Sequence, residues 1–181
     1  MLLNAIKDLH DQTDLVFTRL NSLENPRLTA AFCGTGVSRH LRHMHDHERA
    51  VQNSLTSGVV DYNRRRRNDP GEQDIQLAFE NSQHLKQGWL SANLSDRPVA
   101  VHSEISITQN QTLSLQSTLW RELMYMIHHN IHHLAYIKLL FEQQGIDLPD
   151  TLGQAPATAT HLRHLEATRS SEGVNASNSF E

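Results

Sequence analysis

The chain has 181 residues and a mass of 20.6 kDa, which fits one domain or one domain with a tail. Hydrophobic residues make up 38% and charged residues 20%, and much of the remaining polarity is histidine: 13 His stand against five Phe, three Tyr, two Trp and a single Cys. One cysteine, Cys33, excludes an internal disulfide and a thiolate zinc cage and points to a reducing compartment, so the expected location is the cytoplasm. The net charge of −4 and pI near 6.3 argue against a nucleic-acid or anionic-membrane partner. No apolar run approaches the length of a membrane span, and MLLNAIKDLHDQTD lacks the pattern of a signal peptide.

From Leu2 to about Leu23, the residues Leu2, Ile6, Leu9, Val16, Leu20 and Leu23, with Thr13 between them, recur at three- and four-residue steps. That is the apolar stripe of a long helix, and Asn25-Pro26 is its predicted stop. A second helix is predicted from Thr35-Gly36, with Val37, Leu41, Met44, Val51 and Leu55 on one side and histidines along its flanks. DYNRRRRNDPG reads as a loop, and Asp69-Pro70 as the cap and first position of a third helix carrying Ile75, Ala78, Ser82, Leu85 and Trp89.

From Pro98 the period changes to two. Val99, Val101, Ile105 and Ile107 alternate with polar residues, and Gln109-Asn110-Gln111 turns the chain toward Leu113 and Leu115, predicting a small β-hairpin. Ser117 is the predicted cap of a fourth helix, whose apolar positions Leu119, Trp120, Leu123, Ile127, Ile131, Leu134, Ile137 and Phe141 lead to a stop at Gly145. Four helices with one apolar stripe each can bury those stripes together as a bundle, so the predicted fold is all-α: a four-helix bundle with the hairpin inserted before the fourth helix. The domain is expected to span 1–157, and residues 158–181 to form a polar, disordered tail.

Eight histidines lie in two short stretches: His40, His43, His45 and His47 in the second helix, and His128, His129, His132 and His133 in the fourth. Bundle interiors commonly host metals between facing helices, with ligands one turn apart. At about 100° per residue, His133 lies nearest the fourth helix's apolar stripe, about 100° from its centre, and His132 farthest, about 160° away. His129 with His133 is therefore the better pair. On the second helix His40, His43 and His47 share one flank and His45 lies on the other, so any of those three could complete a three-histidine site. His10, His84, His102, His161 and His164 read as ordinary helix-flank or surface residues.

SRHLRHMHDHERA, VVDYNRRRRN, RELMYMIHHNIHHLAYIKLL and LPDTLGQAPAT together resemble the DinB/YfiT-like superfamily of four-helix proteins, over most of residues 1–157. The resemblance implies a divalent metal held by three histidines, as in bacterial thiol-dependent S-transferases and the N-terminal domains of ergothioneine-type sulfoxide synthases. Carried over, it gives His129 and His133 on the fourth helix and His43 on the second, with His47 as the main rival. Three imidazoles suit Zn, Ni, Fe(II) or Mn and leave open positions for a small-molecule substrate or a low-molecular-weight thiol. The expected activity is metal-assisted transfer or hydrolysis. The alternative is a non-catalytic, stress-associated bundle in which the metal only ties helices together, closed by His47 or His40 as a fourth ligand.

Glu122, seven residues before His129, reads either as a group that orients a ligand or carries a proton, or as a surface charge. Arg64 to Arg67 read as a solvated or internally paired loop, and Cys33 as a small hydrophobe. Bundles of this kind often pair through helix faces, which leaves a homodimer open.

Overall fold

The computed structural model describes residues 1–177. The chain is mostly helical with a small three-stranded sheet. Helix α1 (Leu2–Asn21) buries Ile6, Leu9, Thr13, Val16 and Leu20 of the predicted stripe, leaves Leu2 half-buried and Leu23 beyond its end, and adds His10 and Phe17. The stop comes at Ser22, before Asn25-Pro26. Pro26 instead opens a short helix, α2 (Asn25–Thr29), because the first turn of a helix needs no donor from its backbone nitrogen. A π turn, Ala30–Gly34, and a left-handed Gly36 (φ 91°) lead into α3 (Val37–Ser57).

Strand β1 (Val59–Asp61) follows α3, and its three residues are too short to register as an alternation in sequence. Asp69 caps only a 3₁₀ turn, Pro70–Glu72. The third long helix, α4 (Ile75–Leu90), starts later than predicted, where Asp74 Oδ1 accepts from the backbone N–H groups of Gln76 and Leu77.

The predicted hairpin is present as β2 (Pro98–Glu104) and β3 (Thr112–Thr118), antiparallel, with Val101 opposite Leu115. Its connection is longer than predicted. Ile105 and Ile107 lie in it and are exposed, and the Asn63 side chain accepts from the Glu104 N–H where the ladder ends. β1 joins parallel to β2, Val60 opposite Val101, so the sheet order is β1-β2-β3. Helix α5 (Leu119–Glu142) is capped by Thr118, whose Oγ1 accepts from Arg121 N–H, one residue later than predicted.

Where the sequence suggests a disordered tail, the structure runs a helix, α6 (Pro156–Ser177), and residues 178–181 lie outside those described. ATHLRHLEATR is rich in good helix formers, which is enough for local helix without a buried stripe. Among the described residues no helix is long and apolar enough to cross a membrane.

Of the long helices, α3 packs on α5 and α4, and α1 packs on α5 and α4. The space they enclose holds Phe17, Leu41, Met44, Trp89, Leu123 and Phe141, all buried, and each is worth roughly 1.5–3 kcal/mol of burial. After α5 the chain folds back along it. Leu152 is buried there, and Gly153 (φ 69°) donates its N–H to Gln12 Oε1 at 2.8 Å. A Cβ on Gly153 would overlap the backbone of Leu134 and Ala135, beside His133. Gly153→Ala is expected to cost about 2 kcal/mol or more, from the left-handed φ and the overlap together, read as a lowered midpoint in urea unfolding.

Candidate metal centre

The site lies on the seam between α3 and α5. Residues four apart on a helix stand one above the other, so His43 and His47 on α3 face His129 and His133 on α5. His43 Nε2 and His129 Nε2 are 3.1 Å apart. The His133 ring lies 4.8 Å from that of His43 and 4.6 Å from that of His129, centroid to centroid. Each of the three offers a ring nitrogen, and these nitrogens all lie within 4.8 Å of one another. Two nitrogens on a tetrahedral zinc at about 2.0–2.1 Å would be separated by about 3.3 Å, and the His43–His129 pair at 3.1 Å already has the spacing for a metal ion. His43, His129 and His133 could therefore hold one. All three are partly exposed.

The two rivals from α3 have different surroundings. His40 Nδ1 lies 2.8 Å from His133 Nδ1, one nitrogen donating and the other accepting, and the His40 ring stacks on Tyr136. With His133 Nδ1–H as the donor, that contact would leave the Nε2 lone pair for a ligand, a common way of orienting a metal-binding imidazole. His47 is buried, with its ring centroid 4.0 Å from that of His129 and 4.9 Å from that of Tyr62, and its Nδ1 has no hydrogen-bond partner. It does not join the compact set of three. His128 and His132 are exposed.

Electrostatics favours neutral imidazoles here. Burial, followed by the neighbouring imidazoles, lowers the pKa of His43 to about 4 and of His133 to about 3, and His47 falls to about 2 by the same causes. His129 and His40 are lowered too, again mainly by burial. The lone pairs a metal needs are thus free at neutral pH.

Glu122 is fully buried, which rules out the surface-charge reading. Its Oε2 accepts from Tyr62 Oη (2.8 Å), and its Oε1 accepts from Ser117 Oγ (2.6 Å) and Arg121 Nη1 (2.9 Å). It meets the imidazoles through Tyr62, whose ring packs on His47 and on Tyr125, while Tyr125 stacks on His129. Arg64 and Arg66 lie near Asp61 and Asp69 at 3.6 and 3.9 Å, and Cys33 is half-buried with its Sγ 3.6 Å from the Glu72 carbonyl.

A second polar cluster sits deeper. Glu48 receives Trp89 Nε1 (3.3 Å) and Asn130 Nδ2 (3.0 Å), and pairs with His10 Nε2 at 3.0 Å, all buried. On its sequence pattern His10 reads as an ordinary flank residue, but it is buried. The signal was there, since His10 follows Ile6 by four residues on the stripe itself. Burial pushes the Glu48 pKa up, but the bond and charge of His10, then the charge of His45 and the bond of Trp89, outweigh it and hold the carboxyl below its ordinary value. Glu48→Leu leaves those donors without an acceptor and is expected to cost about 3 kcal/mol or more, measured by chemical unfolding.

His45, wholly buried, is lowered from 6.5 to about 4, chiefly by burial. Between those values the unfolded chain binds a proton that the folded chain does not. The stability tied to a neutral His45 is complete above about pH 6.5 and is lost as pH falls toward 4. A Tm series on metal-free protein from pH 7.5 to 4 should fall across that window, and His45→Gln should make the fall shallower, the remainder coming from His43, His47 and His133, which burial also lowers.

No protein-family model matches the chain, and no solved structure matches it. Over 121 residues, 65% of this chain, it is 33% identical to a protein named FK506-binding protein 5 from Rhizopus delemar. The chain spans about a third of that curated relative, 31% of its length.

Proposed function

We propose that this chain is a divalent-metal-binding protein of the DinB/YfiT-like kind, a four-helix bundle of α1, α3, α4 and α5 that holds one ion with His43, His129 and His133. The observation that carries the reading is the convergence of three ring nitrogens, from two helices, within 4.8 Å of one another. Their depressed pKa values add to it, because a metal then does not compete with protons. Zn, Ni, Fe(II) and Mn all suit imidazole donors.

The half-exposed trio favours a reactive centre over a closed structural one, since no fourth histidine, cysteine or carboxylate joins the set among the described residues. A bound ion would supply Lewis acidity and lower the pKa of a coordinated thiol, which suits S-transfer or hydrolysis involving a low-molecular-weight thiol. In that reading His40 orients His133, and Tyr62 and Tyr125 wall the ion on the side of His47 and His129.

Elemental analysis of protein purified without a histidine tag should give about one ion per chain. His129→Ala and His133→Ala should each lose it, and His128→Ala and His132→Ala should keep it. Equal, low metal content in the wild type and the His129→Ala, His133→Ala double variant would overturn the proposal. Affinity measured by chelator competition should stay nearly level from pH 7.5 to about 5.5, whereas ligands with ordinary histidine pKa values would weaken over that range.

A further inference from the structure

The face of α3 next to the imidazoles borders an open cleft of about 850 Å³, lined on its other sides by β1, the arginine loop and His102 of β2. Its volume is within the range of small-molecule sites, about 300–1,000 Å³. Arg49, Arg64, Arg65 and Arg66 line it with Asp46 and Asp61, four cations against two anions in a chain whose net charge is −4.

Both carboxylates already have partners. Asp46 Oδ2 accepts from Arg42 Nη1 at 2.7 Å, and its Oδ1 accepts from Arg49 Nη1 (3.4 Å) and from the Arg66 N–H (3.3 Å). Asp61 Oδ1 accepts from the Asn63 N–H at 3.0 Å, and its Oδ2 faces Arg64. Arg65 has no carboxylate partner among the described residues; its Nε donates to the Tyr62 carbonyl at 3.5 Å. Arg66 reaches Asp69 only at 3.9 Å, with its side chain 59% exposed. Three consecutive guanidinium groups thus share one wall with most of their donors unused, and a planar guanidinium matches the geometry of an oxyanion better than any other side chain.

We propose that this cleft binds a small-molecule oxyanion, a phosphate- or carboxylate-bearing metabolite held by Arg64, Arg65 and Arg66. The site stands on its own donors and does not require the imidazole trio to hold a metal. A cleft of this size in an acidic chain fits a small ligand better than a nucleic-acid strand, and Tyr62, the aromatic residue of the loop, packs on His47 and offers no stacking surface to bases. The cleft and the imidazoles also share Arg65, whose charge is among those that lower His43, His47 and His129.

The test is an NMR titration following arginine Nε–H resonances in full-length protein, stripped of metal by chelation and then dialysed, with pyrophosphate and, separately, malonate. Saturable shifts at Arg64, Arg65 and Arg66 are expected. The Arg65→Ala, Arg66→Ala double variant should raise the Kd at least tenfold, and Arg67→Ala, a loop cation outside the cleft, should change it less than twofold. Tighter binding of pyrophosphate assigns a phosphate ligand, and equal or tighter binding of malonate a carboxylate; either supports the proposal. Absence of saturable shifts, an equal loss with Arg67→Ala, or tighter binding of a single-stranded oligonucleotide than of pyrophosphate would overturn it. Because the protein is metal-free throughout, this result is independent of the metal content of the imidazole trio.

Discussion

Glu48 accepts from Trp89 of α4 and Asn130 of α5 while pairing with His10 of α1, so one carboxylate on α3 ties together α1, α3, α4 and α5. Such a group is expensive to bury and costs more to leave unpaired, so it holds its partners to one arrangement. Its place in the chain matters for the site. Glu48 adjoins His47, and Asn130 adjoins His129, so the bond between them sets how far α3 slides along α5 beside the imidazoles. A shift of one helical residue along this seam, about 1.5 Å, would separate His43 from His129.

The same burial that rigidifies the seam prepares its chemistry. Packing imidazoles against one another and against tyrosines removes water from them, and desolvation is the leading cause of every lowered histidine pKa in the cluster. A charged histidine would be unfavourable there, whereas a neutral one with an exposed edge is a ready donor. Around this core the tyrosines and Glu122 form a second layer, with Glu122 anchored by Ser117 and Arg121 and reaching the imidazoles through Tyr62.

Much of this was legible in the order of the residues. The stripes of α1, α3, α4 and α5 emerge from three- and four-residue spacing because burial on one face imposes that period, and the hairpin emerges from the change to a period of two. The pairing of His129 with His133 follows from the same spacing. Other features have no local signature. β1 is three residues long and exists because β2 offers it an edge, α4 begins at Asp74 because that side chain, and not Asp69, meets the open helix end, and the burial of Glu122 depends on Tyr62, 60 residues away.

By itself, then, the sequence determined α1, α3, α4 and α5, most of their buried faces and the concentration of imidazole on two of them, since these depend on side chains a few positions apart, whereas α2 and α6 were not foreseen. Helical period left His40, His43 and His47 level, because a wheel describes one helix and not the offset between two. The tertiary structure gives them different surroundings: the offset of α3 against α5 brings a nitrogen of His43 within 4.8 Å of those of His129 and His133, sets His40 against His133, and lays the ring of His47 close over that of His129. That offset is set by packing and by the buried bonds of Glu48, contacts between residues far apart in the chain.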